Sequence, residues 1–193
     1  IENKNLERTY KVAREKAPNA FLIANVGGVQ LVHGYGVKEV KRIVEIIDAD
    51  AVAVHLNALQ EAVQPEGQTN FKGVLAKIAE IAGAIDQPVI VKETGAGISA
   101  EDAKALEKAG AFAILLEMVP DRICKLITER AENCIIMSLG SGPKAHGQLL
   151  IYHDMFGLYP KFKPKMAKVY GNAGEVILNG LKNDRADLKV TQT

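Results

Sequence analysis

The chain contains no tryptophan, only two cysteines among 193 residues, and few aromatic residues, at 5% of the total. Two cysteines are too few for a disulfide framework, so we expect Cys124 and Cys134 to be reduced in a cytoplasmic protein. Four scattered histidines with no C-x-x-C or H-x-x-x-H spacing argue against a transition-metal site. No apolar run reaches the ~18 residues that a membrane helix needs, and the first residues do not resemble a signal peptide.

The charge balance also lacks a dominant sign, because the formal net charge is only +1. A near-neutral chain has no broad field to attract nucleic acid or a membrane, so we expect a small-molecule partner bound at a local site. Apolar residues make up 48% and charged residues 24%, as in ordinary soluble proteins. The length suits one domain, and no linker-like segment divides it, so we expect a single domain over residues 1–193.

Helical and strand patterns alternate along the sequence. The predicted strands are residues 21–26, 51–56, 88–93, 111–117, 134–139 and 148–154, and the predicted helices are residues 5–16, 37–48, 71–85, 99–109, 121–131 and 163–184. Short apolar strands without clean alternation are typical of a parallel sheet covered on both faces. Regular βα units favour a barrel or a doubly wound sheet, but the latter lacks a G-x-G-x-x-G motif or a P-loop here. We therefore expect an α/β fold: a TIM-type (βα) barrel that is incomplete, with about six βα units.

Polar residues follow most of the predicted strands, where (βα) barrels carry their active sites. These strand-end residues are Asn25, His55, Asn57, Lys92, Glu93, Glu117 and Ser138. The loop HLNALQE (55–61) also supplies Gln60 and Glu61, and its amides, imidazole and carboxylate suit a polar ligand with a hard cation. Lys92 is placed to meet an anion or an electron-rich ring. The alternative is that such residues only cap strands and bond to loop backbone.

The first half of the sequence resembles the type 2 isopentenyl diphosphate isomerases over about residues 5–105. The matching stretches are LIANVGGVQL (22–31), GYGVKE (34–39), DADAVAVHLNALQEAVQPEG (48–67) and PVIVKETGAGIS (88–99). That family consists of FMN-dependent (βα) barrels that interconvert isopentenyl and dimethylallyl diphosphate, with the flavin acting as an acid/base. The resemblance implies that Asn25 and Lys92 contact FMN and that Glu61 helps to hold Mg²⁺.

The same resemblance implies that His55, Asn57 and Gln60 contact the allylic diphosphate, with Gln60 also taking part in catalysis. The chain departs from this family in two places. The first two strands of the family have no counterpart before Ile1, and its later glycine pairs, which hold the flavin phosphate on backbone N–H groups, are missing.

The second half resembles the C-terminal part of ketopantoate hydroxymethyltransferase, an aldol enzyme of pantothenate synthesis, over about residues 102–185. The stretches that carry this resemblance are LLEMVP (115–120), GSGP (140–143), GQLLIYHD (147–154) and KFKPK (161–165). It implies that Glu117 is the general base that enolises ketoisovalerate. The acidic Mg²⁺ ligands of that family are absent from the early strands, and a family aspartate is His146 here.

The two resemblances meet in the helix of residues 99–109, which predicts a hybrid barrel with an isomerase-like part (1–105) and a hydroxymethyltransferase-like part (106–193). The expected function is isomerisation of a diphosphate. The alternatives are an aldol reaction on a ketoacid or a folded scaffold without turnover. Six βα units leave open sheet edges. We therefore expect either a homo-oligomer joined through those edges or an N-terminal part that completes the barrel.

Overall fold

The computed structural model describes residues 6–190, with side chains for residues 6–185. Residue 5, at the start of the first predicted helix, lies outside the described residues. The pattern of contacts divides the chain into two compact units, Ile1–Gln148 and Leu149–Thr193. The expected joint near residue 105 falls inside the first unit. That the whole chain forms a single domain stays a prediction.

The first unit is built on one sheet of six parallel strands that follow each other in sequence order. The strands are β1 (Ile23–Gly27), β2 (Ala51–Leu56), β3 (Val89–Glu93), β4 (Ala111–Glu117), β5 (Ile135–Leu139) and β6 (Gly147–Gln148). Each strand pairs in parallel with the next, and no pairing between β6 and β1 closes the described sheet. The expected α/β architecture, an incomplete (βα) barrel, is therefore confirmed.

Helices precede and connect the strands of this unit. They are α1 (Glu7–Lys16), α2 (Gly28–Val32), α3 (Val37–Ile47), α4 (Ala58–Val63), α5 (Val74–Ala82), α6 (Ala100–Lys108) and α7 (Asp121–Arg130). Ser99 caps the start of α6, where the Asp102 backbone N–H donates to Ser99 Oγ at 3.0 Å. Within the described residues, no helix combines the length and apolar character needed to cross a membrane.

The core of the first unit lies between one face of the sheet and these helices. Its strand residues are Ala24, Val26, Val52, Val54, Val89, Val91, Ile114, Leu116 and Ile136. Helix α5 contributes Ile78 and Ile81, which are fully buried, and α3 contributes Val40. The opposite face is less covered than the apolar runs predicted, since Ile23 and Ile135 are exposed on it. An open sheet explains this difference, because a closed barrel would bury that face inside itself.

Two predicted elements of the chain differ most from their bounds in the structure. The sixth strand was expected over residues 148–154, but β6 ends at Gln148, and Tyr152–Met155 form a short helix, α8. Leu149 and Ile151, which made that stretch look like a strand, are exposed and gain no burial from strand pairing. The closing helix was expected from residue 163 and instead begins at Ala173 as α9 (Ala173–Val190). Pro164 and Gly171 disfavour an earlier start.

The second unit is held largely by its own backbone contacts. The Tyr170 N–H donates to the Met155 carbonyl at 2.7 Å, and the Ala173 N–H donates to the Phe156 carbonyl at 2.8 Å. None of its described side chains, residues 149–185, is buried. This unit therefore has far less apolar packing than the first.

The two cysteines are both free thiols, as the sequence predicted, and both are buried. Burial, and then the charge of Glu107, raises the pKa of Cys134 to about 11. The Cys134 thiol therefore stays protonated at neutral pH and acts as a small apolar side chain in the core.

Truncation of Ile78 tests how strongly the helix-packed face holds the first unit together. Ile78→Ala removes a side chain that is 0% exposed and leaves a cavity, so we expect a loss of about 2–5 kcal/mol in the free energy of unfolding. Leu75→Ala in the same helix is the matched control, because Leu75 is 44% exposed and should cost no more than about 1 kcal/mol. Urea denaturation followed by circular dichroism measures both, and equal losses would contradict this account of the core.

Candidate functional site

The register of the parallel strands brings the predicted site residues to one region. His55 and Lys92 are direct register partners on β2 and β3, and His55 is paired with Gly27 of β1. Asn25 lies two residues before Gly27, and Glu117 lies two residues after Leu115, the β4 partner of Lys92. Because side chains alternate between faces, these four residues share the face that turns away from the helices. They form a row across β1–β4, which we call the strand-end row: Asn25, His55, Lys92 and Glu117.

The first two members of the row are in direct contact. Asn25 Nδ2 lies 3.1 Å from His55 Nδ1, and Asn25 Oδ1 lies 3.4 Å from the same ring nitrogen. This geometry favours donation from the Asn25 amide to an unprotonated Nδ1. Burial, and then the positive charge of Lys92, lowers the pKa of His55. A neutral His55 therefore carries its proton on Nε2 and can donate it to a bound oxygen.

A second polar group lies in the loop after β2, at the start of α4. Asn57 Nδ2 donates to Glu61 Oε1 at 2.7 Å, and the Gln68 N–H donates to Glu61 Oε2 at 2.7 Å. These hydrogen bonds, the one from Gln68 first, lower the pKa of Glu61 and keep its carboxylate ionised. Gln60 lies beside Glu61 in the same helix and is exposed.

Asn57 has an oxygen that the described residues leave without a partner. The residue is only 6% exposed, and its Oδ1 atom is buried with no hydrogen-bond donor within reach in the described part of the chain. A buried acceptor without a donor is costly, so this oxygen would gain from a partner that the described residues do not supply. The amide oxygen and the Glu61 carboxylate are the oxygen ligands that Mg²⁺ prefers.

The donor set for a metal is nevertheless small. Residues 6–185 contain no group of three or more His, Cys, Asp or Glu side chains that could hold an ion. Mg²⁺ commonly keeps several waters and takes phosphate oxygens together with one or two carboxylates. Asn57 and Glu61 therefore fit Mg²⁺ only together with waters or the oxygens of a bound ligand, rather than as a site made of protein ligands alone.

Glu117 ends β4 and is half-buried. Burial, and then the negative charge of Glu93, raises the pKa of Glu117, whereas Lys92 lowers it. A carboxyl with a raised pKa is suited to proton transfer near neutral pH. The structure therefore joins Glu117 electrostatically to Lys92, although the two come from parts of the chain that resemble different families.

Three other polar residues at the sheet have structural roles. Ser138, a predicted strand-end candidate, is buried, and its Oγ donates to the Gly142 carbonyl at 3.0 Å. Ser141, which the sequence did not single out, donates through Oγ to the Leu116 carbonyl and accepts from the Val119 N–H, both at 2.9 Å. His146, which stands where the second family has an aspartate, accepts from the Ile136 N–H through Nδ1 at 3.0 Å.

Neutralising Lys92 tests whether the strand-end row is electrostatically coupled. Lys92→Gln removes a positive charge that lowers the pKa of both His55 and Glu117, so both should titrate at higher pH in the variant. His55 should still titrate below its ordinary value of 6.5, because burial is the larger cause of its shift. NMR titration of the imidazole and carboxyl signals measures both pKa values. Lys108→Gln, at an exposed position of α6, is the control. Unchanged titration midpoints of His55 and Glu117 in Lys92→Gln would show that Lys92 does not lie close enough to act on them.

Curated proteins similar to this chain share its N-terminal region and are named isopentenyl-diphosphate delta-isomerase. The protein from Ignicoccus hospitalis is 52% identical over 110 residues, which are 57% of this chain and 31% of the relative. The protein from Aeropyrum pernix is 58% identical over 110 residues, 57% of this chain and 29% of the relative. The protein from Pyrococcus furiosus is 53% identical over 118 residues, 59% of this chain and 30% of the relative. The matched region thus spans about a third of each relative.

Solved structures with a similar backbone are more distant in sequence. CdNal from Clostridium difficile, solved in complex with mannosamine, matches with a TM-score of 0.52 at 17% identity, over 68% of this chain and 44% of that chain. A dihydrodipicolinate synthase family protein from Coccidioides immitis matches with a TM-score of 0.53 at 12% identity, over 78% of this chain and 50% of that chain. Similarity at these identities bears on the fold alone.

The sequence profile of one family covers nearly the whole chain. The profile described as ketopantoate hydroxymethyltransferase matches residues 8–192. This match begins far earlier than residue 102, where the second resemblance was expected to start, and it overlaps the region shared with the isomerases. The overlap is consistent with a hybrid barrel. By the extent of the match, the chain belongs to the ketopantoate hydroxymethyltransferase family.

Proposed function

We propose that the chain binds an isopentenyl-type diphosphate and, with FMN and Mg²⁺, interconverts isopentenyl and dimethylallyl diphosphate. The observation that carries this proposal is the hydrogen-bonded pair of Asn57 and Glu61, in which Asn57 Oδ1 is buried without a partner in the described part of the chain. The contact of Asn25 with His55 supports it. All these residues lie in the half of the chain that resembles the isomerases. The matched region covers only about a third of those relatives. The isomerase activity is therefore a proposal for this chain.

The diphosphate would bind to the end of β2 and the start of α4. Neutral His55 offers an N–H donor, and the exposed Gln60 amide offers a second one next to the Glu61 carboxylate. Mg²⁺ bound to Glu61 and to the free Asn57 oxygen would neutralise part of the diphosphate charge. The lowered pKa of Glu61 supports this role, because an ionised carboxylate is the form that binds a cation.

Asn25 on β1 and Lys92 on β3 would hold FMN. Asn25 is exposed, so a planar ring can approach it, and the Lys92 ammonium can meet an electron-rich edge of the ring. The bound flavin supplies acid/base chemistry at the allylic carbons. The protein side chains fix the position of the ring relative to the diphosphate, which is the orientation effect that accelerates a reaction between two bound groups.

A second candidate function is aldol-type one-carbon transfer to a ketoacid, with Glu117 as the general base. Two observations favour it: membership of the hydroxymethyltransferase family, and the raised pKa of the half-buried Glu117. Glu117 would accept a proton from the carbon next to the ketoacid carbonyl. Lys92, in register with Leu115 of β4, would attract the ketoacid carboxylate.

A flavin-binding measurement tests the first proposal. Lys92→Ala should weaken FMN binding about 10–100-fold, the expected cost of losing a charged hydrogen bond, and should leave the fold intact because Lys92 is at a strand end. Lys108→Ala, which removes a lysine from the exposed surface of α6, should bind FMN like the unchanged protein. Fluorescence quenching of FMN in the presence of Mg²⁺ gives the affinities. Equal affinity in the Lys92→Ala variant and the unchanged protein would contradict this placement of the flavin.

A turnover assay with Glu117→Gln separates the two functions. The variant should lose hydroxymethyl transfer to ketoisovalerate by about 10²–10⁴-fold, as expected when a general base is removed. It should keep the FMN affinity of the unchanged protein, because Glu117 is not one of the proposed flavin contacts. If the unchanged protein turns over neither substrate and binds no FMN, the chain is a scaffold and both functions are excluded.

A further inference from the structure

Glu93 is a buried carboxylate that the proposed functions do not use. It ends β3 next to Lys92, and strand alternation turns it to the opposite, helix-packed face. There it is 2% exposed and lines a cleft of about 280 Å³ with apolar residues that include Leu56, Phe71 and Leu106. The sequence placed Glu93 among the strand-end candidates, but its position separates it from the strand-end row.

The hydrogen bonds of Glu93 connect two segments of backbone. Glu93 Oε1 accepts from the Gly97 N–H at 2.7 Å, and Glu93 Oε2 accepts from the Glu117 N–H at 3.0 Å. One carboxylate therefore holds the loop after β3 and the residue proposed as a general base. Hydrogen bonds from backbone N–H groups to a charged acceptor are among the stronger ones in proteins.

The backbone that follows Glu117 is fixed as well. Met118 has a φ of 53°, in the left-handed region that disfavours a side chain of this size, and its N–H donates to the Leu139 carbonyl at 2.8 Å. Ser141 bonds to the Leu116 carbonyl and to the Val119 N–H on either side. A strained residue persists only where its surroundings hold it, and such residues cluster at functional sites.

The charges around Glu117 come mainly from β3. Glu93 and Lys92 act on it in opposite directions. On β5, the residue paired with Glu117 is the uncharged Leu139. On α6, Asp102 lines the same cleft as Glu93 but is hydrogen-bonded to Ser99 at the start of the helix. Within the described residues, Glu93 is therefore the negative group that bears on Glu117.

We propose that Glu93 is a positioning residue for Glu117: its buried carboxylate fixes the backbone at Glu117 and keeps a negative charge behind the reacting carboxyl. The negative charge of Glu93 makes it easier for Glu117 to take up and hold a proton. The two hydrogen bonds that Glu93 accepts fix the backbone of β4 at Glu117, and with it the orientation of the Glu117 side chain. The inference rests on the proposed role of Glu117 in proton transfer. It joins a residue of the isomerase-like part to one of the hydroxymethyltransferase-like part.

The test is an NMR titration of Glu117 in protein labelled with ¹³C-glutamate, without substrate, with the signal assigned by its absence in Glu117→Gln. In the unchanged protein, Glu117 should titrate above its ordinary value of 4.5. Glu93→Gln removes the charge at nearly the same volume, so the midpoint of Glu117 should fall and its amide should exchange faster with solvent. Ser141→Ala, which removes an uncharged contact, should speed exchange at Val119 and leave the Glu117 midpoint unchanged.

A folded Glu93→Gln variant with an unchanged Glu117 midpoint would overturn the proposal. If Glu93→Gln fails to fold, Glu93→Asp keeps the charge on a shorter side chain, so the Glu117 amide should exchange faster while the Glu117 midpoint stays close to that of the unchanged protein. An unchanged exchange rate of the Glu117 amide in a folded Glu93→Asp variant would overturn the proposal as well. Because the titration needs no turnover, a protein that is inactive as an aldol enzyme can still confirm this role of Glu93.

Discussion

The burial of one apolar sheet face against α3, α5, α6 and α7 is the constraint on which the rest of the structure depends. Val54, Val91 and Leu116 are fully buried on that face, and α5 covers it with Ile78 and Ile81. A register slip of one residue would turn these side chains to the open face and expose them to water. The apolar contacts thereby fix the register of the sheet, and the register decides which polar side chains meet at the carboxyl ends of the strands.

The polar groups at those ends depend on each other through charge. Lys92 lowers the pKa of both His55 and Glu117, and Glu93 on the helix-packed face raises that of Glu117. The result is a neutral imidazole and a proton-binding carboxyl on either side of an ammonium group. In many enzymes, opposite pKa shifts of neighbouring groups determine which group acts as the acid and which as the base. Here they link residues from the two halves of the chain, which resemble different families.

The elements with strong local signals were predictable from the sequence, and those that depend on contacts were not. Strands β2 and β4 and the Ser99 cap of α6 follow from apolar runs and capping chemistry. The predicted bounds of the sixth strand were wrong because Leu149 and Ile151 look like strand residues but do not pair with the sheet. At the site, the strand ends identified Asn25, His55, Lys92 and Glu117. The turn of Glu93 away from the row follows from strand alternation next to Lys92. The hydrogen bond of Glu93 to the Glu117 N–H and the structural role of Ser141 were not predictable, because both arise from contacts between segments about 20 residues or more apart in sequence.

A crystal structure of this chain, grown with Mg²⁺ and inorganic diphosphate, tests the central claim most directly. The account predicts six parallel strands in sequence order, with Asn25, His55, Lys92 and Glu117 on one face at the carboxyl ends of β1–β4. It also predicts diphosphate density next to Asn57 and Glu61. A structure that places any two of those four side chains at opposite ends of the sheet would contradict the account.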